Sequence, residues 1–145
     1  MTAPENVYQV EIATTAERLW QALTDPQQTR KYWHGALSTS DWKVGSRWTS
    51  ESEDGEVYLD GEILEIDPPR RLVHSFHIVH KPESAAEAPS RLEFEITPIG
   101  DRCRLTVTHS GRGPATMAYT SGGWETIFAG LKELLETGSA VGAAM

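Results

Sequence analysis

The residues of this chain whose types could do chemistry are mostly rings: Tyr32, Trp33, Trp48, His74, Phe76, Phe94, His109, Trp124 and Phe128. Five tryptophans in 145 residues is a high count. Apolar walls interrupted by a few polar groups are what binds a small hydrophobic molecule. The competing use of the same rings is to fill a core, and Phe94 and Phe128, lying mid-element, fit that use best. His109 shares strand parity with Leu105 and Val107 and so points inward, as His74 does beside Leu72 and Phe76. A buried imidazole needs a hydrogen-bond partner. Here it could orient a ligand carbonyl or hydroxyl, act as a general acid or base, or be a satisfied core histidine. His109 is the one candidate for a catalytic role. His34, after Tyr32-Trp33, reads as a helix-end residue.

Two acids, Asp60 and Glu62, stand near these groups in sequence. Parity puts either Asp60, Glu62 and Leu64 inward or Leu59, Gly61 and Ile63 inward; the apolar counts are close and a bulge near Gly61 would exchange them, so both registers stay open. Arg47 could pair with one of these acids or with an anionic ligand head. The histidines show no H-x-x-x-H or H-E-x-x-H spacing and there is one cysteine, Cys103, so no metal site and no intrachain disulfide are expected. No G-x-S-x-G elbow, dinucleotide-binding glycine pattern or P-loop occurs, and no cofactor is expected.

The elements that must position these side chains follow from periodicity. Val7 to Ile12 alternates and reads as a strand. Thr14 or Thr15 caps a helix carrying Leu19, Trp20 and Leu23, and Asp25-Pro26 starts a second, short helix that ends near Trp33. Strands follow within Asp41 to Asp54, from Val57 to Ile66 and from Arg71 to Ile78, with an Asp54-Gly55 hairpin turn. Residues 81–90, bounded by two prolines, read as the most mobile loop. Leu92, Phe94 and Ile96 alternate with Glu93 and Glu95; Cys103, Leu105, Val107 and His109 alternate with arginines and threonines. Such a sheet has one wet face and one covered face. Ala115–Thr120 reads as either an extra helical turn or a connection, with Gly122-Gly123 a kink or a restart. The cover is a last helix in which Trp124, Ile127, Phe128, Leu131, Leu134 and Leu135 form one stripe. Gly138 suits its C-terminal cap, and residues 139–145 read as a disordered tail.

The net charge of −8 and pI near 5.1 argue against nucleic acid and against anionic membranes as partners. No leader and no apolar run of membrane-spanning length is seen, so a cytoplasmic protein is expected.

With these residues in hand, the chain resembles the activator of Hsp90 ATPase homologue 1-like family of the START/Bet v 1-like superfamily. Ala16–Pro26 is similar to the family's opening helix, Gly61–Val73 to its central hairpin, Leu105–Gly111 to its last strand, and Gly122–Thr137 to its long helix. The resemblance implies an α+β helix-grip fold across a single domain of residues 1–145, with a curved antiparallel sheet around the C-terminal helix and two short helices after the first strand. It also implies a cavity between helix and sheet, entered near Tyr32, Trp33 and Trp48. Family members regulate the chaperone, and related branches bind lipids or other apolar ligands or shape polyketides. The favoured expectation is a non-catalytic protein binding a small apolar ligand. An enzyme using His109 with Asp60 or Glu62, and a protein-interaction module with a chaperone partner or as a homodimer, are the alternatives.

Overall fold

Strands that alternate apolar and polar residues must be covered on one side only. The computed structural model, which describes residues 6–120 and 123–137, shows how this chain does so. Its elements run β1 (Asn6–Ile12), α1 (Ala16–Thr24), α2 (Pro26–Tyr32), β2 (Leu37–Ser40), β3 (Arg47–Glu51), β4 (Val57–Asp67), β5 (Arg71–Ile78), α3 (Pro82–Ala85), β6 (Ser90–Ile99), β7 (Arg102–Ser110), α4 (Pro114–Thr120) and α5 (Gly123–Thr137). The strands form one sheet in the order β1-β7-β6-β5-β4-β3-β2, antiparallel throughout. This is the α+β helix-grip architecture, with α5 held against the inner face.

The β6–β7 register pairs Leu92 with His109, Phe94 with Val107 and Ile96 with Leu105, all buried. The outer face carries charge instead: Arg71 reaches Glu65 at 3.1 Å and Arg91 reaches Glu93 at 2.8 Å. These partly exposed pairs favour solubility and register more than stability.

β4 takes the register with Leu59 and Ile63 buried and Gly61 between them, so Asp60 and Glu62 face outward. Leu64 lies at the surface on the same side, and a bulge between Ile63 and Glu65 leaves Glu65 exposed as well. Arg47 pairs with Asp60 at 3.1 Å across β3 and β4. The idea of Asp60 or Glu62 assisting from inside is therefore corrected: both lie on the far side of the sheet from the covered face.

Local signals set the helix ends. Thr15 caps α1, its hydroxyl accepting from the Arg18 amide at 3.2 Å. Asp25 closes α1 and caps α2, with Pro26 in the first turn. On α5, Trp124, Ile127, Phe128, Leu131, Leu134 and Leu135 are all buried. Gly130 faces α2, where a Cβ would lie in ordinary contact, 3.4 Å from the Tyr32 Cβ. Farther along, Lys132 donates to the Glu11 carbonyl at 2.8 Å and the Ala13 amide donates to Glu136 at 2.9 Å, tying α5 to the end of β1.

Residues 81–90 differ from the expected loop. They hold one helical turn, α3, and Glu87 then accepts from the Ala115 and Thr116 amides at 2.8 and 2.9 Å and from the Thr116 hydroxyl at 2.7 Å. That carboxylate caps α4, which settles Ala115–Thr120 as helix. Gly123 starts α5; Gly122, the expected cap at Gly138 and the expected tail 139–145 lie outside the described residues.

Candidate functional site: a cavity under the last helix

Between the sheet and the helices lies a cavity of about 420 Å³. Leu59 of β4 and Phe76 of β5 line its sheet side, with Ser50 of β3 and Tyr58 of β4. Trp33, His34 and Ala36 reach it from the segment after α2. Tyr119 and Thr120 of α4 and Gly123, Trp124 and Ile127 of α5 complete the wall with His80, just past β5. No Asp, Glu, Lys or Arg lines it. Its volume is within the range of small-molecule sites, and exposed His34 and Tyr119 put part of its rim in contact with solvent.

Of the rings singled out from sequence, Trp33, Phe76 and Trp124 line this cavity. The others stand behind them in a continuous aromatic layer. Trp124 stacks on Phe128 at 5.8 Å and meets Trp33 edge-on at 5.6 Å; Phe128 in turn touches Phe94 and Tyr8. Trp48 stacks on His74 at 4.0 Å, and its indole N–H donates to the Ser38 hydroxyl at 2.7 Å. Tyr32 is buried, its hydroxyl donating to the Ala22 carbonyl at 2.7 Å. Tyr32 and Trp48 thus sit in the core beside the cavity rather than in its wall.

His109 is fully buried and also outside the wall. It packs edge-on against Phe76 at 4.7 Å and Trp124 at 5.5 Å. Ser90 donates its hydroxyl proton to the Phe76 carbonyl at 3.1 Å, so the 2.7 Å contact with His109 requires Nε2–H of the imidazole as donor. The lone pair is left on Nδ1, which has no partner. Burial, helped by the charge of Arg112 and by His74, pushes His109 down to about 3. Burial likewise holds His74 at about 4, although its Nδ1–H donates to the Ser75 carbonyl at 2.8 Å. Both rings are neutral packing elements at neutral pH. A catalytic His109 would have to reach a ligand through the rings of Phe76 and Trp124.

Beside His109, Trp124 Nε1 and Arg112 Nε are also buried without hydrogen-bond partners. Arg112 donates from Nη1 to the Thr120 hydroxyl at 3.3 Å and forms no ion pair among the described residues. Three of the four buried side-chain polar atoms without a hydrogen-bond partner among the described residues thus belong to His109, Arg112 and Trp124, around the turn from β7 into α4 and α5; the fourth, Thr14 Oγ1, follows β1.

Apart from His34, the polar rings at the rim, Tyr58, His80 and Tyr119, are residues that sequence reasoning missed. His80 donates from Nδ1 to the Tyr58 carbonyl at 3.1 Å, while Tyr58 and Tyr119 flank its ring at 5.0 and 5.5 Å. Burial raises the Tyr119 hydroxyl above its ordinary range, with a smaller contribution from Tyr58. The only sequence signal for this cluster was a histidine and tyrosines at the ends of elements, where parity carries no information. Among the described residues no three His, Cys, Asp or Glu side chains converge as metal ligands, and no helix is long and apolar enough to cross a membrane.

Comparisons with known proteins agree with this architecture. A family model described as Activator of Hsp90 ATPase homolog 1-like protein matches residues 13–136. Protein MLL2253 of Mesorhizobium loti has a crystal structure that superposes with TM-score 0.73 at 28% identity, over 91% of this chain and 96% of its own. PFC0360w, an HSP90 activator from Plasmodium falciparum, gives TM-score 0.74 at 20% identity over 90% and 95%. The Aha1 dimer from Colwellia psychrerythraea gives 0.73 at 20% over 93% and 98%. At 20% identity these last two show the fold. No curated protein matches by sequence.

Proposed function

Since the chain belongs to the Activator of Hsp90 ATPase homolog 1-like protein family, we propose that it is a binding protein that holds a small apolar molecule between α5 and the sheet. The observation that carries this reading is the cavity: about 420 Å³, walled by Trp33, Leu59, Phe76, Trp124 and Ile127 and free of charged side chains. An apolar molecule leaving water for such a space gains roughly 25 cal/mol per Å² buried, and the wall asks for no counter-charge.

Ser50 offers a direct test. It is buried at the cavity wall, so Ser50→Leu replaces a hydroxyl with a branched chain two heavy atoms larger where a ligand would lie. Native mass spectrometry of protein purified from its own host is expected to show an added mass that disappears on denaturation. The Ser50→Leu variant should carry much less of it. An apo mass for both proteins would count against a resident ligand.

A second reading comes from the family itself, whose description names an activator of the Hsp90 ATPase. Under it, the outer surface docks a chaperone or a second copy of this chain. Its exposed large apolar residues are Val7 on β1, Val44 before β3, Leu64 on β4, Ile99 on β6 and Tyr119 on α4. Co-purification of the chaperone, together with sedimentation of a defined complex, is the outcome this reading requires.

A further inference from the structure

His80 is the cavity-lining group whose hydrogen-bonding state the structure defines most narrowly. Its Nδ1 lies 3.1 Å from the backbone carbonyl of Tyr58. A carbonyl oxygen only accepts, so Nδ1 carries the proton and the neutral ring presents a lone pair at Nε2. The ring cannot easily turn to exchange its nitrogens, because Tyr58 and Tyr119 pack on either side of it. The partner of Nε2 is the Tyr119 hydroxyl at 3.4 Å, well beyond the distance of a good O–H donor. Tyr119 is 47% exposed on the short helix α4, so a better donor from inside the cavity competes with a weak and half-solvated bond.

We propose that the ligand is a neutral apolar molecule bearing a hydroxyl group, and that His80 Nε2 is the acceptor that orients it. The proposal rests on the cavity reading above and narrows it. The body of the molecule lies against Trp33, Phe76, Trp124 and Ile127, and its hydroxyl replaces the Tyr119 phenol at His80. The same geometry selects against an anion. A carboxylate would bring acceptor oxygens to a lone pair, in a wall with no cation, and would lose its hydration without compensation. The nearby guanidinium of Arg112 lies outside the wall, engaged with Thr120.

A matched probe series tests this on the intact protein: 2-naphthol, naphthalene and 2-naphthoate, which share one apolar body. Affinities at about pH 8 can be read from quenching of tryptophan fluorescence, with ¹⁵N–¹H spectra locating the probe at the Trp33 and Trp124 indoles. Exchange of the long Tyr119 bond for a well-formed one, with the freed phenol turned to solvent, predicts 2-naphthol binding about three- to tenfold tighter than naphthalene, with 2-naphthoate weakest. The ¹⁵N resonance of His80 Nε2 should move upfield with 2-naphthol alone, as its lone pair gains a proton donor. In a folded His80→Phe variant the naphthol-to-naphthalene ratio should fall to about one. Equal binding of naphthol and naphthalene by the wild-type protein would overturn the proposal while leaving the cavity reading standing. Tightest binding of 2-naphthoate would also overturn it and point to Arg112. Failure of every probe would overturn both.

Discussion

At the scale of single residues, Gly61 shows how much a missing methyl group decides. It faces Trp48 across the β3–β4 ladder. A Cβ built on it would lie 2.0 Å from the backbone oxygen of Ser75 on the neighbouring strand. Ser75 uses its own hydroxyl to accept from the Glu62 amide at 2.8 Å, so the two strands are locked where they come closest. Backbone cannot yield as a flexible side chain can. Gly61→Ala is therefore expected to destabilise by about 1–3 kcal/mol or more, measurable as a lower urea midpoint. An unchanged midpoint would mean that β4 and β5 are farther apart than described. This position also marks a limit of the sequence. Leu59, Gly61 and Ile63 compete almost evenly with Asp60, Glu62 and Leu64 for the inner face, and only the close approach at Gly61 decides between them. His109 and His74 were legible as inward residues because their strands alternate cleanly. That His109 stands behind the cavity wall follows from ring packing, which parity does not encode.

At the scale of elements, strong periodicity was readable and weak periodicity was not. β6, β7 and α5 repeat their apolar residues over several periods. β2 spells Leu-Ser-Thr-Ser, and its buried member is Ser38, which is inward because it accepts the Trp48 indole proton. No hydrophobic pattern could announce that strand. α4 was ambiguous for a related reason: its N-terminal amides are satisfied by Glu87, from a segment whose composition reads as loop. Those bonds hold the Glu87 carboxyl below the ordinary carboxylate range, the Thr116 hydroxyl contributing most. Glu87→Ala should then loosen α4 without unfolding the sheet. Hydrogen exchange is expected to speed at Ala115 and Thr116 while Leu105 and Val107 stay protected. Uniform protection in the variant would show that α4 does not depend on this cap. Since α4 carries Tyr119 and Thr120 to the cavity, the cap acts on the site through an element and not by contact.

At the scale of the whole molecule, the core is built around two histidines that fold only as neutral rings. His74 and His109 are held at about 4 and about 3, mainly by burial. In the unfolded chain each would take up a proton near 6.5. Between those limits the unfolded state binds more protons, so the stabilisation is complete above about pH 6.5 and drains away as pH falls toward 4. Each proton taken up on unfolding steepens the loss by about 1.4 kcal/mol per pH unit. Urea midpoints should fall steadily from neutral pH to about pH 4, with the two histidines contributing uptake of close to two protons near pH 5. A midpoint flat across that interval would contradict the buried, neutral assignment of both rings.

The strand order carries a consequence for how the chain is made. β1 lies at the edge of the sheet and has one strand partner, β7, with Ile12 opposite Cys103 and Asn6 opposite His109. β1, made before the other described strands, must therefore wait for about ninety more residues. At roughly 5–20 residues per second that is a delay of some 5–20 s. The hairpins from β2 to β6 can form in the meantime from near neighbours, but the sheet stays one strand short at that end. The helix that covers it arrives later still. Throughout that interval the inner rings of the half-built sheet face the solvent, so for this protein the dangerous stage of life is its synthesis, when a passing holdase has the most to cover.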